Sequence, residues 1–380
     1  MKILRSPKTS RTLVATLALI ASLVAACTVG DSGRGSAPAR PSSPFDPTPA
    51  KPTGPLLAYR AFDEIGLVDG TSVIASSPGT FEPSNDLIAT ADGRFLFART
   101  TDNRVATLEV DTRKTTTRPV PVGPVLGTGD GSTIIWWEQP NRLMQLDLAD
   151  PDAQPVLHQT VELPPVAGVR PGEPRLLVAR GGTAVIARVE APPSPFGGPD
   201  TLYVAHGPGA PTRLGQAEAN SPVSVARLSA DGTQLAYALY QGRDSACGNA
   251  SVVLSDADGD QQTFDVAGPD AASGSRVPKL WWPPTGPPRL SLATWQCDQP
   301  TLYSPLVWQL DTAGPGNIQE ITPPAAALET GDVAPGQRAL VLPKSGAYTE
   351  PTGTLVLEDS DRRTSIKDGV DAIAVIPPPQ

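Results

Sequence analysis

The residues of this chain best suited to hold a metal ion are three aspartates within five positions. Asp256, Asp258 and Asp260 surround Gly259, and carboxylates spaced in this way around a glycine can supply the oxygen ligands that Ca²⁺ prefers. The glutamate that completes an EF-hand loop is missing from the segment. We interpret it as a solvated hairpin turn and keep a calcium site as the alternative.

Other catalytic patterns are weak. The chain has two histidines, His158 and His206, each on or beside a predicted strand, and we interpret both as structural. It has no Gly-x-Ser-x-Gly nucleophile elbow, which argues against a propeller peptidase. The run from Gly127 to Gly131 is rich in glycine but opens a strand, so it lacks the helix N-terminus that would bind a phosphate. No catalytic residue and no cofactor are predicted.

Short turns that end in glycine determine how these residues are positioned. Each turn separates two runs rich in Val, Ile, Leu and aromatic residues, which is typical of a tight hairpin with a glycine at positive φ. After each turn we predict an outgoing, a returning and a closing strand, so roughly 45 residues make one four-stranded antiparallel unit. The six turn cores are Asp92-Gly93, Asp130-Gly131, Gly181-Gly182, Asp231-Gly232, Thr285-Gly286 and Pro335-Gly336.

The two ends of the folded domain supply one further unit. Leu56–Arg60, Glu64–Val68 and Thr71–Ala75 read as three strands without a glycine-turn strand before them, and Ala372–Ile376 reads as one strand with nothing after it. Together they complete a blade, which removes the exposed edges of an open ring. We therefore predict an all-β fold, a seven-bladed β-propeller over residues 56–376, closed by N- and C-terminal strands that share one blade.

Two of the turns carry a family resemblance. Ser229-Ala230-Asp231-Gly232 precedes Leu235-Ala236-Tyr237, and Thr90-Ala91-Asp92-Gly93 precedes Phe95-Leu96-Phe97. These segments resemble the Ser-Pro-Asp-Gly-type turn that follows the innermost strand in TolB-like and WD40-like propellers. The resemblance implies an architecture and no particular activity.

The repeat also places two cysteines side by side. Cys247 and Cys297 fall in the loop between the second and third strands of consecutive units, so we predict a disulfide between them. In the chain-entropy picture, closing a loop of this length stabilises the fold by about 4 kcal/mol. A zinc site is the competing interpretation, but two cysteines without nearby histidines supply only half of its ligands.

The loops between second and third strands are long in four consecutive units, which raises one rim of the ring. Exposed aromatic residues on a rigid scaffold are common anchors for partners, and simple loop variation is the equal alternative. Adjacent residues of a strand point to opposite faces, so one member of each tryptophan pair, Trp136-Trp137 and Trp281-Trp282, is expected to pack between blades. The candidate anchors on the rim are Phe196, Tyr240, Trp295, Tyr303 and Tyr348.

The N-terminal segment has the features of a processing signal. Four basic residues precede an uncharged stretch from Thr12 to Ala26, which is short for a membrane-spanning helix. Leu23-Val24-Ala25-Ala26-Cys27 resembles the lipobox of bacterial lipoproteins, which implies acylation of Cys27 with chains such as palmitate. We predict a signal peptide over 1–26, a disordered linker rich in Pro, Ser and Gly over 27–55, and a tail over 377–380.

Charge and composition restrict the partners. The chain has 30 basic and 39 acidic residues, a net charge of −9, so nucleic-acid binding is not indicated. We expect a monomer that is lipid-anchored on the extracytoplasmic face of the cell membrane and binds a protein or glycan of the cell envelope without catalysis. The alternatives are a propeller hydrolase or lactonase with a metal in its central channel, and an accessory subunit of a transporter or sensor.

Overall fold

The chain divides into two compact units, Met1–Thr48 and Pro49–Gln380. In the computed structural model, the described residues belong to the second unit and are 54–377 except 85–86, 169, 192–197, 218–219, 244–246, 257–258, 267–269, 300–304, 315, 345–350 and 361. Over this part of the chain the regular secondary structure is β-strand. No helix among the described residues is long and apolar enough to cross a membrane.

The strands follow the short runs of β-branched and aromatic residues, whose side chains pack well on a pleated surface. In chain order they are β1 (Leu56–Ala61), β2 (Glu64–Asp69), β3 (Ser72–Pro78), β4 (Phe95–Arg99), β5 (Val105–Glu109), β6 (Thr115–Arg118), β7 (Leu126–Thr128), β8 (Thr133–Glu138), β9 (Arg142–Asp147), β10 (Val156–Thr160), β11 (Arg175–Arg180), β12 (Thr183–Val189), β13 (Asp200–His206), β14 (Thr212–Gln216), β15 (Val225–Leu228), β16 (Gln234–Gly242), β17 (Gly248–Asp256), β18 (Gln261–Val266), β19 (Ser273–Trp281), β20 (Arg289–Gln296), β21 (Leu306–Leu310), β22 (Ile318–Glu320), β23 (Glu329–Ala334), β24 (Gln337–Pro343), β25 (Gly353–Asp359) and β26 (Arg362–Ile376).

Four antiparallel sheets each use four consecutive strands: β7–β10, β11–β14, β15–β18 and β19–β22. A fifth sheet holds β4, β5 and β6. The strand predicted before the turn at Asp92-Gly93 is reduced there to a single bridge between Ala89 and Leu96. The amide of Phe97 also donates to the carbonyl of Ile88 at 3.0 Å, so this sheet has a short first edge in place of a full strand.

The remaining strands form one sheet of seven, in the order β23-β24-β25-β26-β1-β2-β3. Its centre is the 15-residue strand β26. The first part of β26 pairs with β25, and its last part pairs with β1, with Leu56 opposite Ile376. The N-terminal strand β1 therefore pairs with the C-terminal strand β26. Strand β26 itself belongs to both halves of this sheet.

The turn glycines adopt positive φ as expected, with one change of position. Gly93 and Gly232 have φ of 69° and 71°. In the third turn the left-handed residue is Gly181, with φ of 55°, and the prediction of Gly182 was wrong. Arg180 pairs directly with Thr183, so this is a two-residue hairpin, and a type II′ turn needs positive φ at its first central residue.

The hydrophobic core lies between the sheets. Trp136 and Trp137 are 2% and 5% exposed, and they belong to two different clusters, one on each side of the β7–β10 sheet. The first strands of successive sheets contact one another: β7 with β11, β11 with β15, and β15 with β19. Sheets that pack face to face with their first strands around a common centre make a β-propeller.

Candidate functional site

A cavity of about 610 Å³ lies among the first strands and is lined on one side by the glycine turns, including Asp92, Gly93 and Ala230. In an antiparallel sheet, all turns that join first to second strands lie on one face of the propeller. We call this the glycine-turn face. The cavity is within the size range of small-molecule sites, about 300–1,000 Å³.

The opposite face carries the loops between second and third strands, and we call it the disulfide face. Cys247 and Cys297 form a disulfide there, with their Cα atoms 5.3 Å apart and 50 residues of sequence between them. Arg243 donates from Nη2 to the Sγ of Cys247 at 3.3 Å and to the carbonyl of Ser273 at 2.9 Å. The disulfide therefore sits in a set of contacts that joins two neighbouring sheets.

The walls of the cavity carry more positive than negative side chains. Four basic residues line it, against three acidic ones, which is an excess of one positive charge in a chain whose net charge is −9. The charged lining residues are Arg180, Arg227, Lys279, Arg289, Asp92, Glu329 and Asp332.

Lys279 is the most enclosed of the basic groups. It is 5% exposed, and its Nζ donates to the carbonyl of Ser84 at 3.2 Å. Burial lowers the pKa of Lys279, while the charges of Asp371 and Glu329 act in the opposite direction. The ammonium therefore lies in a region where a further negative charge would be stabilising.

Glu329 faces the same region from β23. Burial raises the pKa of Glu329, and the nearby Lys279 and Arg227 only partly oppose that shift. A carboxyl with a raised pKa holds its proton to a higher pH than usual. Glu329 therefore offsets less of the positive charge in the cavity than a fully ionised carboxylate would.

Two other acidic residues of the cavity are engaged by near neighbours. Asp332 accepts an ion pair from Arg289 at 3.0 Å. Asp92 accepts from the hydroxyls of Thr90 and Ser132, both at 2.6 Å. Burial acts to raise the pKa of Asp92, but these hydrogen bonds outweigh it and the pKa is lowered.

Arg180 has fewer constraints. It is half-buried at the end of β11, and burial lowers the pKa of its guanidinium, opposed by the charge of Asp231. The indole of Trp282 lies on the same wall, and its Nε1 donates to the carbonyl of Arg227 at 3.3 Å. A cation and an aromatic ring are thus presented to the same space.

Several buried polar atoms of the lining residues make no hydrogen bond within the described part of the chain. They are Oγ1 of Thr128, Nε1 of Trp281, Nε of Arg289 and Oγ1 of Thr330. A buried polar group left without a partner costs about 1–3 kcal/mol. Four buried polar atoms of the cavity wall therefore lack the hydrogen bonds that would offset their burial.

A buried ion pair lies near Lys279, outside the residues that line the cavity. Arg60 and Asp371 are 2% and 3% exposed, and Arg60 donates from Nε at 3.0 Å and from Nη2 at 2.5 Å. Arg60 also donates to the carbonyl of Ser84 at 2.9 Å, and the amide of Ser84 donates to Asp371 at 3.1 Å. These contacts tie the segment before the first glycine turn to the strands that close the ring.

The aromatic residues predicted as anchors on the rim have different surroundings. Trp295 is only 6% exposed and lies opposite Gly274, where an added Cβ would come within 2.5 Å of its ring. It packs against backbone, which corrects the interpretation of Trp295 as an exposed anchor. Tyr240 is half-buried and covers Gly248 in the same way. Phe196, Tyr303 and Tyr348 lie outside the described residues.

The aspartate cluster forms part of a hairpin between β17 and β18. The amide of Asp260 donates to the carboxylate of Asp256 at 2.9 Å, and the amide of Asp256 donates to the carbonyl of Asp260 at 3.1 Å. Asp258 lies outside the described residues, so the calcium alternative stays a prediction. Over the described ranges, no three His, Cys, Asp or Glu side chains are grouped to hold a metal ion.

The two histidines lie on outer strands, away from the cavity lining. Nδ1 of His158 is 2.7 Å from Oε1 of Gln145, and Nδ1 of His206 is 3.0 Å from Oγ1 of Thr183. The basic cavity residues themselves were missed from the sequence. A charged residue inside an otherwise apolar first strand, as at Arg227 in β15, is a signal that would have found part of this set.

No family model and no curated protein matches the chain. Among solved structures it is similar to an oligogalacturonate lyase from Vibrio parahaemolyticus, with 12% identity over 84% of this chain and 87% of that one and a TM-score of 0.49. It is similar to apo AztD from Citrobacter koseri, with 12% identity over 85% and 97% and a TM-score of 0.46. It is also similar to the β-propeller domain of Cps50 (Swd1) from Myceliophteria thermophila, with 12% identity over 78% of this chain and 92% of that one and a TM-score of 0.48.

Proposed function

We propose that this chain is a lipid-anchored, extracytoplasmic β-propeller of the bacterial cell envelope that binds a ligand or partner at its glycine-turn face and performs no chemistry on it. The observation that carries the proposal is the central cavity. Its basic residues sit on strands, and strands hold side chains more rigidly than loops do. A preformed cavity with a few charged groups is the usual form of a binding site.

We propose seven blades. Strand β26 pairs with β25 through its first part and with β1 through its last part, so the seven-stranded sheet divides into two blades at that strand. With the five other sheets, this gives seven units. Seven apolar clusters among the described residues support the count, because each joins a pair of neighbouring units as a closed ring of seven requires.

The membrane anchor rests on the sequence of the first 27 residues. We propose that Cys27 carries the acyl chains and that residues 28–55 link it to the propeller. Pro55 lines the mouth of the cavity, so the linker enters the propeller at the glycine-turn face. As an extended chain this linker spans up to about 90 Å, which leaves room for a partner between the membrane and the cavity.

Binding without catalysis agrees with how the charged groups are used. Lys279 donates to a backbone carbonyl, and Arg289 is paired with Asp332. General acid–base catalysis requires a group that is free to exchange a proton with the substrate. Lys279 and Arg289 are instead held by contacts within the protein, which suits recognition. A stoichiometric divalent metal in the purified chain would favour the hydrolase or lactonase alternative.

Two measurements on intact cells test this proposal. Labelling with a palmitate analogue should mark the wild-type chain, and Cys27→Ala should lose the label. A photo-crosslinking residue at Pro284, at the mouth of the cavity, should capture a partner more efficiently than one at Asn103, which lies in an exposed turn on the disulfide face. Label on Cys27→Ala, or capture from Asn103 alone, would contradict the proposal.

A further inference from the structure

We infer that the central cavity binds a small organic anion that carries a single carboxylate on an aromatic or apolar body. The inference deepens the binding function proposed above and rests on it. Its first support is the charge of the lining, which reverses that of the whole chain. Basic side chains held in a partly enclosed space attract anions more strongly than the same side chains on an open surface.

The size of the charge excess favours a monoanion. Four basic residues face three acidic ones in the lining. Arg289 is already paired with Asp332, whereas no ion pair joins Arg180 to an acidic residue at close range in the described part of the chain. With Glu329 ionised the excess is one positive charge, which one carboxylate balances and a phosphate monoester, which carries nearly two charges at neutral pH, exceeds.

The shape and chemistry of the walls determine the body of the ligand. Trp282 is half-buried beside the basic residues, and its hydrogen bond to the carbonyl of Arg227 fixes the plane of the ring. Pro283, Pro284 and Ile376 add apolar surface to the cavity lining. A flat aromatic or apolar body can stack there while its carboxylate reaches the guanidinium of Arg180.

The buried donors provide an independent observation. Thr330 is 3% exposed and Trp281 is 8% exposed, and their Oγ1 and Nε1 atoms make no hydrogen bond within the described residues. Both residues line the cavity. A carboxylate that reaches either atom would accept a hydrogen bond, which recovers the cost of leaving that donor unpaired.

The test is isothermal titration calorimetry of the purified full chain with 2-naphthoate and with 2-naphthamide, which has the same shape and no charge. We expect 2-naphthoate to bind about tenfold more tightly, as one charge-assisted hydrogen bond provides. Arg180→Gln should remove that preference and leave the affinity for 2-naphthamide unchanged. The control Arg142→Gln, at an exposed position at the start of β9, should change neither affinity.

Several results would overturn the inference. These are equal affinities for the two naphthyl compounds, no binding of 2-naphthoate, equal effects of Arg180→Gln and Arg142→Gln, or tighter binding of 1-naphthyl phosphate than of 2-naphthoate. Thermal unfolding of each variant shows whether it is folded. If Arg180→Gln fails to fold, the affinities of the wild-type chain for 2-naphthoate and 2-naphthamide still test whether the cavity prefers a carboxylate. Loss of the carboxylate preference, with the palmitate label and the crosslink at Pro284 intact, would remove the ligand class and leave the binding function.

Discussion

The two ends of the central channel use buried charge in opposite ways. Towards the disulfide face, Arg60 is matched to Asp371 through two hydrogen bonds, and both also contact Ser84. Towards the glycine-turn face, Arg180, Arg227 and Lys279 outnumber their acidic partners. Both ends belong to the same ring of strands, so the difference lies in side chains and not in the fold.

The comparison separates architecture from recognition. A buried ion pair joined by two hydrogen bonds fixes the position of the strands that carry it. An excess of charge, with some donors unpaired, stores interaction energy that only another molecule can use. We therefore expect substitutions near the disulfide face to change stability and substitutions near the cavity to change binding.

The largest expected effect is on the free energy of unfolding, at the buried ion pair between Arg60 and Asp371. Asp371→Ala leaves Arg60 buried without its carboxylate, which should lower the free energy of unfolding by about 3–5 kcal/mol. Chemical denaturation measures the loss. Asp371→Asn keeps an oxygen acceptor and should lose clearly less. If Asp371→Ala were as stable as wild type, the pair would not fix the closure of the ring.

Removal of the disulfide should give the next largest effect. The double variant Cys247→Ser/Cys297→Ser releases a constraint across 50 residues and should lower the free energy of unfolding by about 2–4 kcal/mol. Its affinity for 2-naphthoate should stay within twofold of wild type, because the disulfide lies on the opposite face from the cavity. A marked loss of affinity in a folded double variant would show that the disulfide face also determines binding at the glycine-turn face.

The affinity of the cavity for 2-naphthoate should depend on pH through the ionisation of Glu329. Because the pKa of Glu329 is raised, the stability it contributes is present below its ordinary pKa and is lost as pH rises through the raised value. The same ionisation places a negative charge beside Lys279 and Arg227 and within the field of Asp371. Affinity for 2-naphthoate should therefore fall a few-fold over that range, as measured by calorimetry at several pH values.

Glu329→Gln is the matched variant for this effect, since it keeps the shape of the side chain and cannot ionise. It should abolish the fall in affinity over the range in which Glu329 titrates. A second fall at higher pH should remain, because burial also lowers the pKa of Lys279 and brings its deprotonation below the usual range. An unchanged pH profile in Glu329→Gln would show that Glu329 does not act on the bound anion.

The smallest expected effect is at a turn on the glycine-turn face. Hydrogen bonds from the hydroxyl of Ser229 and from the amide and hydroxyl of Thr233 lower the pKa of Asp231 to about 2. This contribution to stability is present above the ordinary pKa of an aspartate and is lost as pH falls through about 2. Asp231→Asn should lower Tm by about 1 °C at neutral pH, and thermal scans should show the difference disappearing in acid.

Much of the architecture was readable from local sequence. The glycine turns and the apolar runs beside them predicted the strands, and the unmatched strands at both ends predicted the pairing of β1 with β26. Local pattern failed where geometry depends on a partner strand. Trp295 is buried because Gly274 lies opposite it, and that register was not visible from the run containing Trp295 alone.

The candidate site was much harder to predict. Arg180, Lys279 and Glu329 are separated by 50 to 149 positions in the sequence, and only closure of the ring brings them to one cavity. Each shares its strand with a second charged residue, in β11, β19 and β23, and charged residues in a strand are as typical of an exposed edge. The sequence therefore directed attention to the aromatic residues of the rim, on the face opposite the cavity.

The most direct test is ¹⁹F NMR of the full chain labelled with 5-fluorotryptophan and titrated with 2-naphthoate. The chain has six tryptophans, and single Trp→Phe substitutions assign their signals. Trp281 and Trp282 line the cavity, and Trp295 lies beside Cys297 at the end of β20. We predict saturable shifts of the Trp281 and Trp282 signals with Trp295 unmoved. A shift of Trp295 with Trp281 and Trp282 unmoved would contradict a ligand site on the glycine-turn face.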